Sequence, residues 1–145
     1  TVARELGVSE TDALALPGGM NSPLIDCCVH EWTEGGRNMV RRYAEDGPRP
    51  RDPDAREALG SMLRARFMML RMDDSLPGAG VAATDLLTGD ELFVFDISMS
   101  MSPQGGKIVV VGHALPVGDR WMLTGGNDVL STEEARRLVA ARTMQ

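Results

Sequence analysis

Residues 81–96, V-A-A-T-D-L-L-T-G-D-E-L-F-V-F-D, place two half-apolar arms on either side of Thr88-Gly89-Asp90. Gly89 can take the positive φ that a tight reversal needs, so the run predicts a β-hairpin. Leu92, Phe93, Val94 and Phe95 give the second arm the residue types of a pleated, partly buried surface. With Thr88-Gly89 at the tip, position 87 pairs with 90, 86 with 91 and 85 with 92. Asp85 then shares a sheet face with Leu92, Val94 and Asp96. The two carboxylates stand about 13 Å apart along the strand, at about 3.3 Å per residue. That exceeds the spacing of a glycosidase acid pair. Asp85 is assigned instead to the turn amides near Thr88 and Gly89.

Downstream of the hairpin, 98–106 is a Ser/Met/Gly-rich loop. Residues 107–115 predict the strongest strand, with four consecutive β-branched residues at 108–111. Pro116-Val117-Gly118-Asp119 is a turn, 120–124 a further strand, and Gly125-Gly126-Asn127 ends the sheet. Ser131 or Thr132 caps a helix over 133–142, whose early glutamates and later arginines complement its dipole. Upstream, the apolar period changes from helical to alternating near Phe67, and a strand is expected from about Met68, ended by Pro77-Gly78.

Before that switch the chain reads as helical. A short helix over 2–8 precedes a capping box at Ser9-Glu10-Thr11-Asp12, whose helix must stop near Pro17. Asn21-Ser22-Pro23 opens another, expected to reach about Ala44 with a weak point at Gly35-Gly36. After a linker over 47–53, Asp52-Pro53 starts a third, with Leu59, Met62, Leu63 and Phe67 on one face. The expected architecture is one α+β domain. Residues 1–66 form a helical part, 67–126 a roughly five-stranded antiparallel meander curled into a small open barrel or bent sheet, and 127–145 a C-terminal helix.

Composition fits this reading. A 145-residue chain buries roughly 68–70% of its unfolded surface, so no metal or disulfide staple is required. Aromatics are 4% and methionines number 10, so Leu, Val and adaptable Met must fill the core. A net charge of −6 opposes binding to nucleic acid or an anionic membrane. No apolar run could cross a bilayer, and the adjacent Cys27 and Cys28 cannot build a disulfide framework. The cytoplasm is the expected compartment.

Four stretches together resemble uncharacterised bacterial SEC-C motif-containing proteins. They are L-I-D-C-C-V-H-E-W with V-R-R-Y, then R-A-R-F-M-M-L, then P-G-A-G-V-A-A-T-D-L-L-T-G-D-E-L-F-V-F-D, then G-H-A-L-P-V-G-D-R-W-M-L-T-G-G. The similar portion covers roughly residues 22–126. This chain has no C-x-C…C-C or C-H zinc motif, so the resemblance implies a fold and no metal, cofactor or activity.

Candidate chemistry is sparse. In Asp26-Cys27-Cys28-Val29-His30-Glu31, Asp26 and His30 share a helix face at i, i+4. A closed zinc site needs a second ligand pair, which is missing. His113 in the strong strand, with Asp119 and with Ser98, Ser100 and Ser102, lacks the elbow that exposes a catalytic serine. The expected states are a partly exposed His113, a surface His30, and no catalytic, cofactor or metal residues. V-A-R-E-L-G-V-S-E-T-D-A-L is similar to the start of a helix-turn-helix, but its second helix is acidic and cut short by Pro17. Partner binding is assigned to Met99 and Met101 in a mobile methionine loop and to Arg37, Arg41 and Arg42, the main basic concentration. The leading functional expectation is a non-catalytic protein-binding or accessory module. The alternatives are a small hydrolase using His113 or His30, and a nucleic-acid-associated protein.

Overall fold

The computed structural model describes residues 18–102 and 105–143. The two short helices expected over 2–17 lie outside the described residues. Helix α1 (Gly18–His30) is followed by a small hairpin of β1 (Thr33–Glu34) and β2 (Arg37–Asn38), then by α2 (Met39–Asp46) and α3 (Pro53–Leu63). The hairpin splits the helical segment expected to about residue 44 into two pieces at its weak point, because Gly35 and Gly36 both take positive φ, at 62° and 77°. Asn38 joins the two helices. Its Nδ2 donates to the His30 carbonyl at 2.8 Å, and its Oδ1 accepts from the Arg41 amide at 2.9 Å, capping α2. Asn38→Ala is expected to lower stability by about 1 kcal/mol in urea unfolding.

The rest of the chain builds β3 (Arg66–Leu76), β4 (Gly80–Asp85), β5 (Glu91–Val94), a single-turn α4 (Ile97–Ser100), β6 (Ile108–Val117), β7 (Arg120–Leu123), β8 (Asp128–Ser131) and α5 (Thr132–Thr143). β3 pairs antiparallel with β4, and β4 with β5. β5 lies parallel to β7, β7 antiparallel to β6, and β6 antiparallel to β3, which closes a five-stranded barrel. The expected open antiparallel meander is thereby corrected to a closed barrel with mixed pairing. β3 and β6, 11 and 10 residues long, can each pair along both edges. The crossover through α4 returns β7 beside β5 in the same direction. Closure also removes the two free edges that a meander leaves.

β8 is a strand the sequence reading did not contain. It pairs with β6 over Ile108–Val111, beyond the stretch that β7 occupies. The hairpin over 80–94 forms, with Thr84 opposite Glu91 and Ala83 opposite Leu92. That register is offset by two from the expected one. Two residues is one full pleat period, so every side chain keeps its face. The turn residues cause the offset. Asp85 Oδ1 accepts from the Leu87 amide at 3.0 Å, Thr88 Oγ1 donates to Asp85 Oδ2 at 3.3 Å, and the Gly89 amide donates to the Asp85 carbonyl at 2.7 Å. Asp85 therefore serves the turn, as expected.

The barrel interior is filled by Met68, Leu70, Met72, Val81, Ala83, Val94, Val110 and Ala114. A second cluster outside it packs Met69 and Val109 against Ala135 of α5. β6 is thus covered on both faces, which is why its run at 108–111 is continuously apolar rather than alternating. No helix among the described residues is long and apolar enough to cross a membrane.

Candidate functional site

Parity along β6 sends Val109, Val111 and His113 to the outside of the barrel. At the His113 end that outer face is covered by α1 and α3. Helix α1 presents Asp26 and His30 at i, i+4, one turn apart on the same face. His113 Nδ1 lies 2.5 Å from Asp26 Oδ2, and His113 Nε2 lies 2.7 Å from Glu31 Oε1. The His30 ring stacks on His113 with centroids 4.7 Å apart, and Phe67 meets His113 edge-on at 5.6 Å. The His113 carbonyl is held as well. It accepts from the Thr124 amide and hydroxyl, each at 3.2 Å, and from Asn127 Nδ2 at 3.3 Å. Gly112 permits this, because a Cβ there would fall 2.4 Å from Asn127 Nδ2.

Both histidines depart from expectation. The His113 side chain is 4% exposed and that of His30 5%, with Asp26 at 8%. The run at 108–111 is apolar at every position, so the sequence marks neither which side of β6 faces out nor that a helix lies over His113. Two carboxylate oxygens face the two nitrogens of His113. Each contact needs a proton on its line, so this imidazole has no nitrogen left for a substrate. Cys27 of α1 has its proton held more tightly than usual, chiefly by burial and also by Cys28, Glu31 and Asp26. It is not an activated nucleophile. Among the described residues, no group of three or more His, Cys, Asp and Glu side chains could hold a metal ion.

Beside the cluster lies a cavity of about 380 Å³. Ile25, Asp26, Val29 and His30 of α1 form one wall, Met62 of α3 and Leu115 of β6 the second, and residues 124–126 the rim. Its lining is mostly apolar, with Asp26 and His30 as its ionisable groups. Burial, and then the neighbouring His113, lower the proton affinity of His30, against the weaker pull of Asp26 and Glu31. In the unfolded chain His30 titrates near its ordinary 6.5. Below that value the unfolded state binds more protons than the folded one, so this residue's contribution falls as pH drops. The melting temperature is therefore expected to fall from pH 6.5 downward. His30→Leu should show a shallower decline, and equal slopes for the two proteins would refute the assignment.

The residues assigned to partner binding are not brought together. Arg37 pairs with Glu45 at 2.7 Å and Asp46 at 3.2 Å, and Arg42 pairs with Glu34. Arg41 is exposed and has no ion-pair partner among the described residues. Met99 packs on the barrel core, whereas Met101 is 66% exposed. Ser100 is buried, donates to the Ile97 carbonyl and accepts from the Gly78 amide. Sequence reasoning paired Asp26 with His30 but missed the partnership with His113, 87 residues away. It also gave Glu31 no partner. No local pattern carries either contact. No protein-family model, curated protein or solved structure matches this chain.

Proposed function

We propose that the chain is a non-catalytic binding module whose ligand enters the cavity between α1, α3 and the β7–β8 connection. One observation carries this reading. Asp26 and His30 stand on the wall of a mostly apolar cavity, both with side chains more than nine-tenths buried. A largely apolar pocket with a few convergent polar groups is the usual form of a small-ligand site. The resemblance to SEC-C motif-containing proteins, which brings no activity with it, is compatible with an accessory role.

The hydrolase alternative is weaker. It needs a nucleophile held by a base, yet the Thr124 hydroxyl at the rim donates to the His113 carbonyl and both His113 nitrogens face carboxylates. A thermal-shift screen of small molecules should find stabilising ligands that lose their effect in the cavity-filling Leu115→Trp variant. Turnover on an ester or phosphate panel that vanishes in His30→Leu would overturn the non-catalytic reading.

A protein partner is a second reading, favoured by an apolar groove of about 470 Å³ between α2 and α3. Exposed Met39 and Tyr43 edge it, and Arg41 stands on the same helix without an ion-pair partner among the described residues. Its occupant would be an acidic amphipathic segment. Such a peptide should bind more weakly at high salt and in Tyr43→Ser. If a basic peptide of equal apolar content binds as well, this reading fails.

A further inference from the structure

We propose that the cavity receives the ammonium head of a small primary amine, its apolar body lying along Ile25, Val29, Met62 and Leu115. The proposal rests on the reading of the cavity as the binding site and names the class of ligand. Asp26 spends Oδ2 on His113. Its Oδ1 has no hydrogen-bond donor among the described residues, and its near neighbour is His30 Nε2 at 3.9 Å, beyond hydrogen-bond reach. The His30 ring likewise makes no hydrogen bond among the described residues. Two enclosed polar groups with unused capacity therefore face each other on one wall.

An ammonium group has three donors and no acceptor. It can donate to Asp26 Oδ1 and to an unprotonated His30 nitrogen at once. An alcohol can donate its one proton to Asp26 Oδ1 and accept from His30, but it brings no positive charge to the carboxylate. A carboxylate has none to give and meets a like charge. Charge points the same way. With one proton on each of the two contacts, Asp26, His113 and Glu31 together carry one net negative charge, and no Lys or Arg among the described residues pairs with either carboxylate. The lowered proton affinity of His30, caused first by burial and then by His113, leaves its ring able to accept.

Cyclohexylmethylamine, cyclohexylmethanol and cyclohexanecarboxylate share one body and differ in the head, and calorimetric titration of each at neutral pH tests the proposal. The amine should bind at least about tenfold more tightly than the alcohol, the margin of a charge-assisted over a neutral contact. The carboxylate should show no heat of binding. Asp26→Asn should erase the preference for the amine. His30→Leu, which keeps Asp26 against His113, should weaken the amine by about threefold or more. An alcohol or carboxylate that binds as tightly as the amine overturns the ammonium assignment and leaves the cavity reading standing. If none of the three binds, or if amine binding is unchanged in Leu115→Trp, the cavity reading fails as well.

Discussion

Replacing Asp26 by alanine is expected to lower the unfolding free energy by about 3–5 kcal/mol, the cost of stripping one partner from a buried charged pair. The His113 ring would keep its place between β6 and α1, 4% exposed, with Nδ1 facing an apolar gap. Glu31 cannot compensate, since it already holds Nε2 and its own side chain is largely in solvent. Urea unfolding should show a lower midpoint with an unchanged m-value. Glu31→Gln, at a solvated end of the same chain of contacts, should cost less than about 1 kcal/mol. A double-mutant cycle pairing Asp26→Ala with His113→Phe should return a coupling above about 0.5 kcal/mol. If Asp26→Ala unfolds like the parent protein, Asp26 is not the group that anchors α1 to the barrel.

Gly80→Ala should destabilise by about 1–3 kcal/mol, the usual penalty for forcing atoms into a packed interior. The added Cβ would fall 2.2 Å from the Val94 carbonyl oxygen and 2.7 Å from a Phe93 ring atom. The carbonyl belongs to the partner strand, since Val81 pairs with Val94, so relief requires β4 and β5 to separate. Gly60→Ala is the internal control. It lies within α3, where the nearest atom to a new Cβ is Arg64 Nη1 at 3.7 Å. That change should stabilise by about 0.5–1 kcal/mol, because alanine loses less freedom in a helix. A Gly80→Ala protein as stable as the Gly60→Ala protein would contradict the strand pairing. Thermal unfolding of both variants decides it.

Local chemistry made much of the fold legible before any tertiary information. Asp52-Pro53 begins α3, with the Asp52 side chain accepting from the Asp54 amide at 3.1 Å. Ser131 and Glu134 cap α5 reciprocally, at 2.8 Å and 3.2 Å. The hairpin carried its own face assignment through a shift of register, because alternation survives any even slip. The closed barrel was harder to see. Nothing within residues 66–76 states that β3 will use both edges, and four residues of β8 are too few to stand out from a helix cap.

The candidate site divides along the same line. Asp26 and His30 belong to one helix, and the 3.6-residue turn brings them together wherever α1 goes. The pleat likewise puts His113 on the same face as Val109 and Val111, but the continuously apolar run at 108–111 does not mark that face as the outer one. Their meeting depends on α1 lying across the barrel, and so do the stacking of the two rings and the open cavity beside them. Sequence alone thus determined what is governed by short-range geometry: the longer elements, caps, turns and which side chains share a face. Packing decided strand order, barrel closure and the union of Asp26 with His113, since contacts between distant segments are selected by the burial they achieve jointly and leave no mark on either segment alone.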